Sequence, residues 1–357
     1  MQYKTKKLRH HLYQLIKLII LITLTACSPT QLQSTQGESK PYISTATVES
    51  ISPATDAISS TQNLIDISSS VSPNINPPTS VTSVHDSSLT NRDPVITPTP
   101  LRADYWMSLP IIPMVSKNTR EISQHGIELG RDPQTFSKIG DCQSISTYFL
   151  RYFDLTGFYN LGSYNYLQES IDWFSGSFSR DSLSVKGGFN AAAILSPLRA
   201  DPKLCNGNES SIACEFRLNN PSIAIISLEE WWTDHPENYE NYLRQIIEYS
   251  IQQGVVPIIA TKADNLEGNH LINQTIARLA LEYDIPLWNF WLAVQPLPNH
   301  GLININSSGV EDMFHLTHSE GYYFYNDLSA PQSGWSIRNL TALQTLDAVR
   351  RGLINLP

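Results

Sequence analysis

Three residues, two of them close together and one far upstream, carry the parts of an acyl-transfer site. Cys142 lies in "FSKIGDCQS" (136–144), where a run rising to Ile139 gives way to Gly140-Asp141 and then a thiol. Much later, "EDMFHLT" (311–317) holds Asp312 and His315 three positions apart. One short segment thus supplies a base and the carboxylate that orients it. In such a set the His takes the nucleophile's proton, while the Asp fixes the ring tautomer and stabilises the imidazolium. The residues after Cys142 predict a helix through Tyr148, Phe149 and Leu150. A thiol at a strand-to-helix turn would face backbone N–H groups and the positive end of the helix dipole, which lower its pKa. The competing reading makes Cys142 a small buried hydrophobe.

Neighbouring candidates read differently. Ser144 would fall in the first helical turn and aim elsewhere. Asp141 has the type and place of a cap that accepts backbone N–H bonds. His318 lacks the Asp-x-x-His pattern and reads as surface. Lys262, Asp264 and Asn265 read equally as solvated loop or as substrate contacts. Cys205 and Cys214 flank the polar loop "NGNESSIA" (206–213), a separation that favours a disulfide in an exported chain. No metal-ligand cluster, phosphate loop or nucleotide fingerprint occurs in the sequence, so no metal and no cofactor is expected. A formal net charge of −9 argues against nucleic acid as a partner.

The elements that must position these residues follow from periodicity. "SIAIISL" (222–228), "VVPIIAT" (255–261) and "IPLWNF" (285–290) are apolar runs of strand length. Between them Tyr242, Leu243, Ile246, Ile247 and Ile251 recur at helical spacing up to Gly254, and Ile276, Leu279, Ala280 and Tyr283 do so again. Leu340, Leu343, Leu346 and Val349 mark a last helix. Apolar strands alternating with amphipathic helices predict an α/β domain over 101–357, a three-layer α/β/α sandwich around a parallel sheet. Ligands of such sheets sit at the C-terminal strand ends, which points to the residues after Ile139, Leu228, Thr261 and Phe290.

The order of these pieces resembles the SGNH (GDSL-type) hydrolases, a superfamily of esterases and lipases with a flavodoxin-like sheet. The resemblance covers residues 134–318. Gly-Asp-Cys after the first strand matches the nucleophile block, with Cys142 in place of Ser. "GGFNAAAIL" (187–195) is similar to the second block, whose glycine offers an N–H to the oxyanion; Gly188 matches it best, and Asn190 belongs to the same block. "PSIAIISLEEWW" (221–232) aligns with the strand into the third block, and "NQTIARLALEYDIPLWNF" (273–290) with the helix and strand before the last, which carries Asp312 and His315. The third block departs from the family, since Glu229-Glu230-Trp231-Trp232 replaces its Gly-x-Asn-Asp. An indole N–H such as that of Trp231 can stand in for the missing amide donor. Glu229 and Glu230, adjacent on a strand, face opposite ways, so one carboxylate meets the cleft.

The N-terminus reads as an address. Lys4, Lys6, Lys7 and Arg9 precede "LIILITL" (18–24), too short to span a bilayer as a mature helix, and Leu24-Thr25-Ala26-Cys27 resembles a bacterial lipobox. Residues 1–27 are thus expected to be a lipoprotein signal, with Cys27 lipidated and the mature chain anchored to the cell membrane outside the cytoplasm. Residues 28–100 are rich in Ser, Thr and Pro, while all seven Trp and all eleven Phe come later. Such a composition predicts a disordered tether. The resemblance implies a hydrolase or acyltransferase for small-molecule, glycan or lipid esters; the N-terminal signal implies a membrane tether, and a monomer is expected. The alternative is a catalytically inactive relative that binds a cell-envelope glycan.

Overall fold

The structure, a computed structural model, describes residues 102–228, 236–305, 309, 311–319, 323–326 and 332–354. The signal with Cys27, the tether and the Glu229–Trp232 block lie outside the described residues.

Four parallel strands form the sheet: β1 (Asp132–Gly140), β2 (Pro221–Ser227), β3 (Val256–Ala260) and β4 (Leu287–Trp288), in the order β1-β2-β3-β4. Ile139 pairs with Ile226, Ile226 with Ile259, and Ile259 with Leu287, so the C-terminal ends finish level. On the free side of β1, Val185 makes a single parallel bridge to Gly140, and Gly140 N–H donates to Ser184 at 3.0 Å. Counting that bridge, the chain runs from β1 to one side and then crosses back to β2 on the other. Right-handed crossovers that leave β1 in opposite directions put helices on opposite faces. They also open a crevice at the C-terminal end of β1, the switch point of a flavodoxin-like order. The result is a three-layer α/β sandwich.

The helices are α1 (Lys117–Glu128), α2 (Gln168–Trp173), α3 (Ala191–Leu195), α4 (Ser211–Asn219), α5 (Pro236–Gln252), α6 (Leu271–Glu282), α7 (Phe290–Val294) and α8 (Gly334–Ile354). Leu243, Ile246 and Ile247 of α5 and Ile276 and Leu279 of α6 are buried against the sheet, as their spacing predicts, and Ile272 is buried with them. Each such side chain contributes about 1.5–3 kcal/mol by leaving water. The main core runs from these to Leu340, Leu343, Leu346 and Val349 of α8.

Two elements differ from the sequence reading. The strand expected over 285–290 contracts to Leu287–Trp288, because Asn289 accepts from Leu292 N–H and starts α7 at Phe290. The helix expected after Cys142 does not form. Cys142–Ser144 is a three-residue 3-10 turn, Ile145 is extended, and Leu150 takes a left-handed φ of 69°. Tertiary bonds hold this stretch instead: Leu150 N–H donates to Asn339 of α8 at 2.7 Å.

Candidate active site

Gly140 ends β1 where no side chain fits. A Cβ there would run into Ser144 Oγ and the Ser227 carbonyl at the end of β2. That closeness lets Ser144 donate to the Ser227 carbonyl at 3.2 Å. Ser144 is therefore buried and committed to a structural bond, not poised to attack. Asp141 also serves the turn, since its Oδ1 accepts from Gln143 N–H at 2.9 Å. Between them Cys142 is left half-buried, with its thiol directed at the C-terminal loop.

That loop is a short antiparallel hairpin. Leu302 bridges Leu316, and Ile305 bridges Glu311. Ile303 N–H donates to the His315 carbonyl at 2.9 Å, and Asp312 N–H to the Asn304 carbonyl at 3.0 Å. Thr317 joins the hairpin to the start of α8 by accepting from Gly334 N–H at 2.9 Å. The frame delivers His315 Nε2 to 3.7 Å from Cys142 Sγ. On its other side His315 Nδ1 lies 2.9 Å from Asp312 Oδ2, while Asp312 Oδ1 accepts from His315 N–H at 3.1 Å. A carboxylate can only accept, so Nδ1 is the donor in that bond, and in the neutral imidazole Nε2 keeps its lone pair towards the thiol. Phe314 lies against the imidazole, 4.0 Å between ring centres.

His318 packs against Tyr148 and Trp335 with its outer edge open to solvent. Desolvation against those rings, then the neighbouring His315, pushes its pKa down.

Gly188 has a left-handed φ of 78° with open space around it, a conformation that favours glycine. Asn190 is the N-cap of α3, its Oδ1 accepting from Ala193 N–H at 2.9 Å. Cys205 is joined by a disulfide to Cys214 within α4. Lys262 and Asp264 fit neither sequence reading. Lys262 Nζ is paired with Asp264 and Glu267, both at 2.6 Å, with all three side chains about 1% exposed. Burial pulls the Lys262 pKa down, but the two carboxylates outweigh it and leave it raised. This sealed ion cluster supports the β3 end, while exposed Asn265 accepts from His270 N–H at 2.7 Å.

Three residues near the site escaped sequence reasoning. Gln143, 1% exposed, donates through Nε2 to the Phe314 carbonyl at 2.6 Å. Arg338 of α8 is fully buried behind the turn. Lys138 of β1 is buried as well, its Nζ donating to Ser146 Oγ at 2.7 Å and to the Phe178 carbonyl at 2.8 Å. The one sequence signal for Arg338 is its position in phase with Trp335, Ala342, Thr345 and Val349, on a stripe that carries no other charge.

No protein-family model and no curated protein matches the chain. Among solved structures, it is similar to a chain from Desulfitobacterium hafniense DCB-2 described as a lipolytic protein of G-D-S-L family, at 13% identity and a TM-score of 0.33, covering 59% of this chain and 99% of that one. It is also similar to the acetyl xylan esterase AlAXEase, at 12% identity and a TM-score of 0.32, covering 59% of this chain and 97% of that one. Both likenesses are distant.

Proposed function

We propose that the protein is an acyl-ester hydrolase or acyltransferase that works through Cys142, His315 and Asp312. The observation that carries this reading is the continuous relay from Sγ to Nε2 (3.7 Å) and from Nδ1 to Asp312 Oδ2 (2.9 Å). His315 Nε2 takes the thiol proton, and the thiolate attacks the ester carbonyl. The alkoxide leaves with the proton held by His315, which gives an acyl thioester and an alcohol. Water, or an acceptor hydroxyl, then loses its proton to His315 and attacks the thioester, which returns the thiol and releases acid or a new ester. The N–H groups of Cys142 and Gly188 are the proposed oxyanion donors; Trp231 and Glu229 remain sequence candidates outside the described residues. The acyl donor is a glycan or lipid ester, the domain is monomeric, and Cys27 tethers it by lipid to the outer side of the membrane.

The test is hydrolysis of a short-chain aryl ester by the full chain. Turnover that disappears in both Cys142→Ala and His315→Ala supports the reading. An absence of turnover in the wild-type chain and in Cys142→Ser, with a thiol that alkylates only above its ordinary pKa, would sink it in favour of a non-catalytic glycan binder.

A further inference from the structure

The hairpin that carries His315 is tied on both sides of that residue. One position before it, the Phe314 carbonyl accepts from Gln143 Nε2 at 2.6 Å, which ties the hairpin to the Cys142 turn. Two positions after it, Thr317 makes a second tie. Its N–H donates to the Gly301 carbonyl at 2.8 Å, and its carbonyl accepts from Trp335 N–H at 3.2 Å. Its hydroxyl repeats both links, donating to the Gly301 carbonyl at 3.0 Å and accepting from Gly334 N–H at 2.9 Å. Gly334 opens α8 and is buried, so its N–H is one of the donors that a helix leaves without an internal partner. One hydroxyl thus joins three segments: the turn into the hairpin, the arm that leaves it, and α8. Glycines allow this closeness. A Cβ on Gly334 would run into the Gly301 carbonyl oxygen and press on Leu316 Cβ at 3.0 Å. A Cβ on Gly301, whose φ of 74° favours glycine, would stand 3.0 Å from Gly334 Cα.

We propose that Thr317 is a positioning residue for His315, its hydroxyl holding the hairpin where Nε2 reaches Cys142 Sγ. This assignment rests on Cys142 and His315 being the reacting pair. The hairpin's own bonds, such as that from Ile303 N–H to the His315 carbonyl at 2.9 Å, fix its shape but not its place on the domain. Place is what the 3.7 Å between Sγ and Nε2 depends on. Proton transfer needs hydrogen-bond reach, and a displacement of about 1 Å can cost about 10²-fold. The two backbone bonds at position 317 come with any residue but proline. The other two need a donor and an acceptor on one atom held close to the backbone, which serine and threonine supply.

Two readouts on the full chain test it: hydrolysis of a short-chain aryl ester, and the pH dependence of iodoacetamide alkylation, read by mass spectrometry at the Cys142 peptide. The second needs no turnover. An imidazolium beside a thiol favours the thiolate, so the wild-type inflection is expected below about 8.5 and that of His315→Ala near it. Thr317→Val keeps the shape and removes the hydroxyl. Its inflection is expected to move most of the way to that of His315→Ala, and kcat to fall about tenfold with KM little changed. Thr317→Ser, which keeps the hydroxyl, is expected to stay near wild type. If the valine variant does not fold, Thr317→Ala carries the test, since the space it leaves at this half-buried position admits water to Gly334 N–H. The charged or titratable groups around the pair are unchanged in every variant: Asp141 on the Cys142 turn, Arg338, whose Nε donates to the Gln143 carbonyl at 3.2 Å, and Asp312 and His318 beside His315. An inflection that His315→Ala raises and the Thr317 variant leaves at the wild-type value overturns Thr317 and keeps the pair. So does a Thr317→Ser variant as impaired as the valine one. An inflection indifferent to His315→Ala overturns the pair and Thr317 with it. An inflection that depends on both residues, without ester turnover, supports Thr317 and removes acyl transfer.

Discussion

Gln143 Nε2 donates to the carbonyl of Phe314 at 2.6 Å. The residue that follows Cys142 is thereby bonded to the residue that precedes His315. The spacing of Cys142 and His315 thus depends on a buried amide as well as on the two loops that carry them. Gln143→Met keeps the volume and removes the donor. It is expected to cost about 1–2 kcal/mol of stability, since one buried carbonyl loses its partner. If the pair also fixes attack geometry, kcat should fall about tenfold with KM little changed. Steady-state kinetics beside a denaturant titration separates these effects, and a stability loss with kcat untouched would make Gln143 purely structural.

The relay predicts unequal effects along its length. His315→Ala removes the base and should lower ester turnover about 10²- to 10⁴-fold. Asp312→Asn leaves a side chain of the same shape whose amide can hold the wrong tautomer, so a loss of similar order is expected. Cys142→Ser keeps the base and its orienting acid, and should retain measurable turnover where Cys142→Ala has none. Rates on an aryl ester decide all three. An Asp312→Asn variant as active as wild type would remove Asp312 from the relay.

Lys138 gives a pH signature that owes nothing to the active site. Burial, and then the nearby Arg180, pushes its pKa down to about 7. In the unfolded chain it returns to about 10.4. Between those values the unfolded chain binds more protons, so this residue makes stability rise as the pH climbs from 7 towards 10. Below pH 7 its destabilising effect is fully present. Lys138→Met should therefore be more stable than wild type at pH 6, with the advantage shrinking by pH 9.5. Urea titrations at the two pH values are the check, and parallel stabilities would contradict it.

The disulfide closes a sequence separation of 9 between Cys205 and Cys214. Loop entropy for so short a ring gives about 2–3 kcal/mol. Its loss in Cys205→Ser/Cys214→Ala should lower the melting temperature, while Cys142 alkylation keeps its pH profile. A changed profile would tie the 205–214 loop to the site.

The sheet was legible because Ile223–Ile226 and Val256–Ile259 are buried on both faces, and such strands appear in sequence as unbroken apolar runs. The Asp312–His315 pair was legible from spacing alone, since both residues come from one short segment. The turn after Cys142 misled for a physical reason: Tyr148, Phe149 and Leu150 are all buried, but bonds to Asn339 and Tyr323 hold them in irregular backbone. Lys138 and Arg338 were illegible as interior residues. Lysine and arginine are seldom fully buried, and what holds these two inside is tertiary: a carbonyl, a hydroxyl or a ring far away in sequence.

The bond between Cys142 and His315 joins residues 173 apart, and Arg338 enters from still further along. All four strands precede His315 in the chain. The sheet can pair while Cys142, the proposed nucleophile, is still an ordinary thiol, slow to oxidise and slow to be acylated. Only when the last segment folds down does Cys142 meet its proposed base. On that reading the topology acts as a timer that keeps the thiol quiescent until the fold around it is complete.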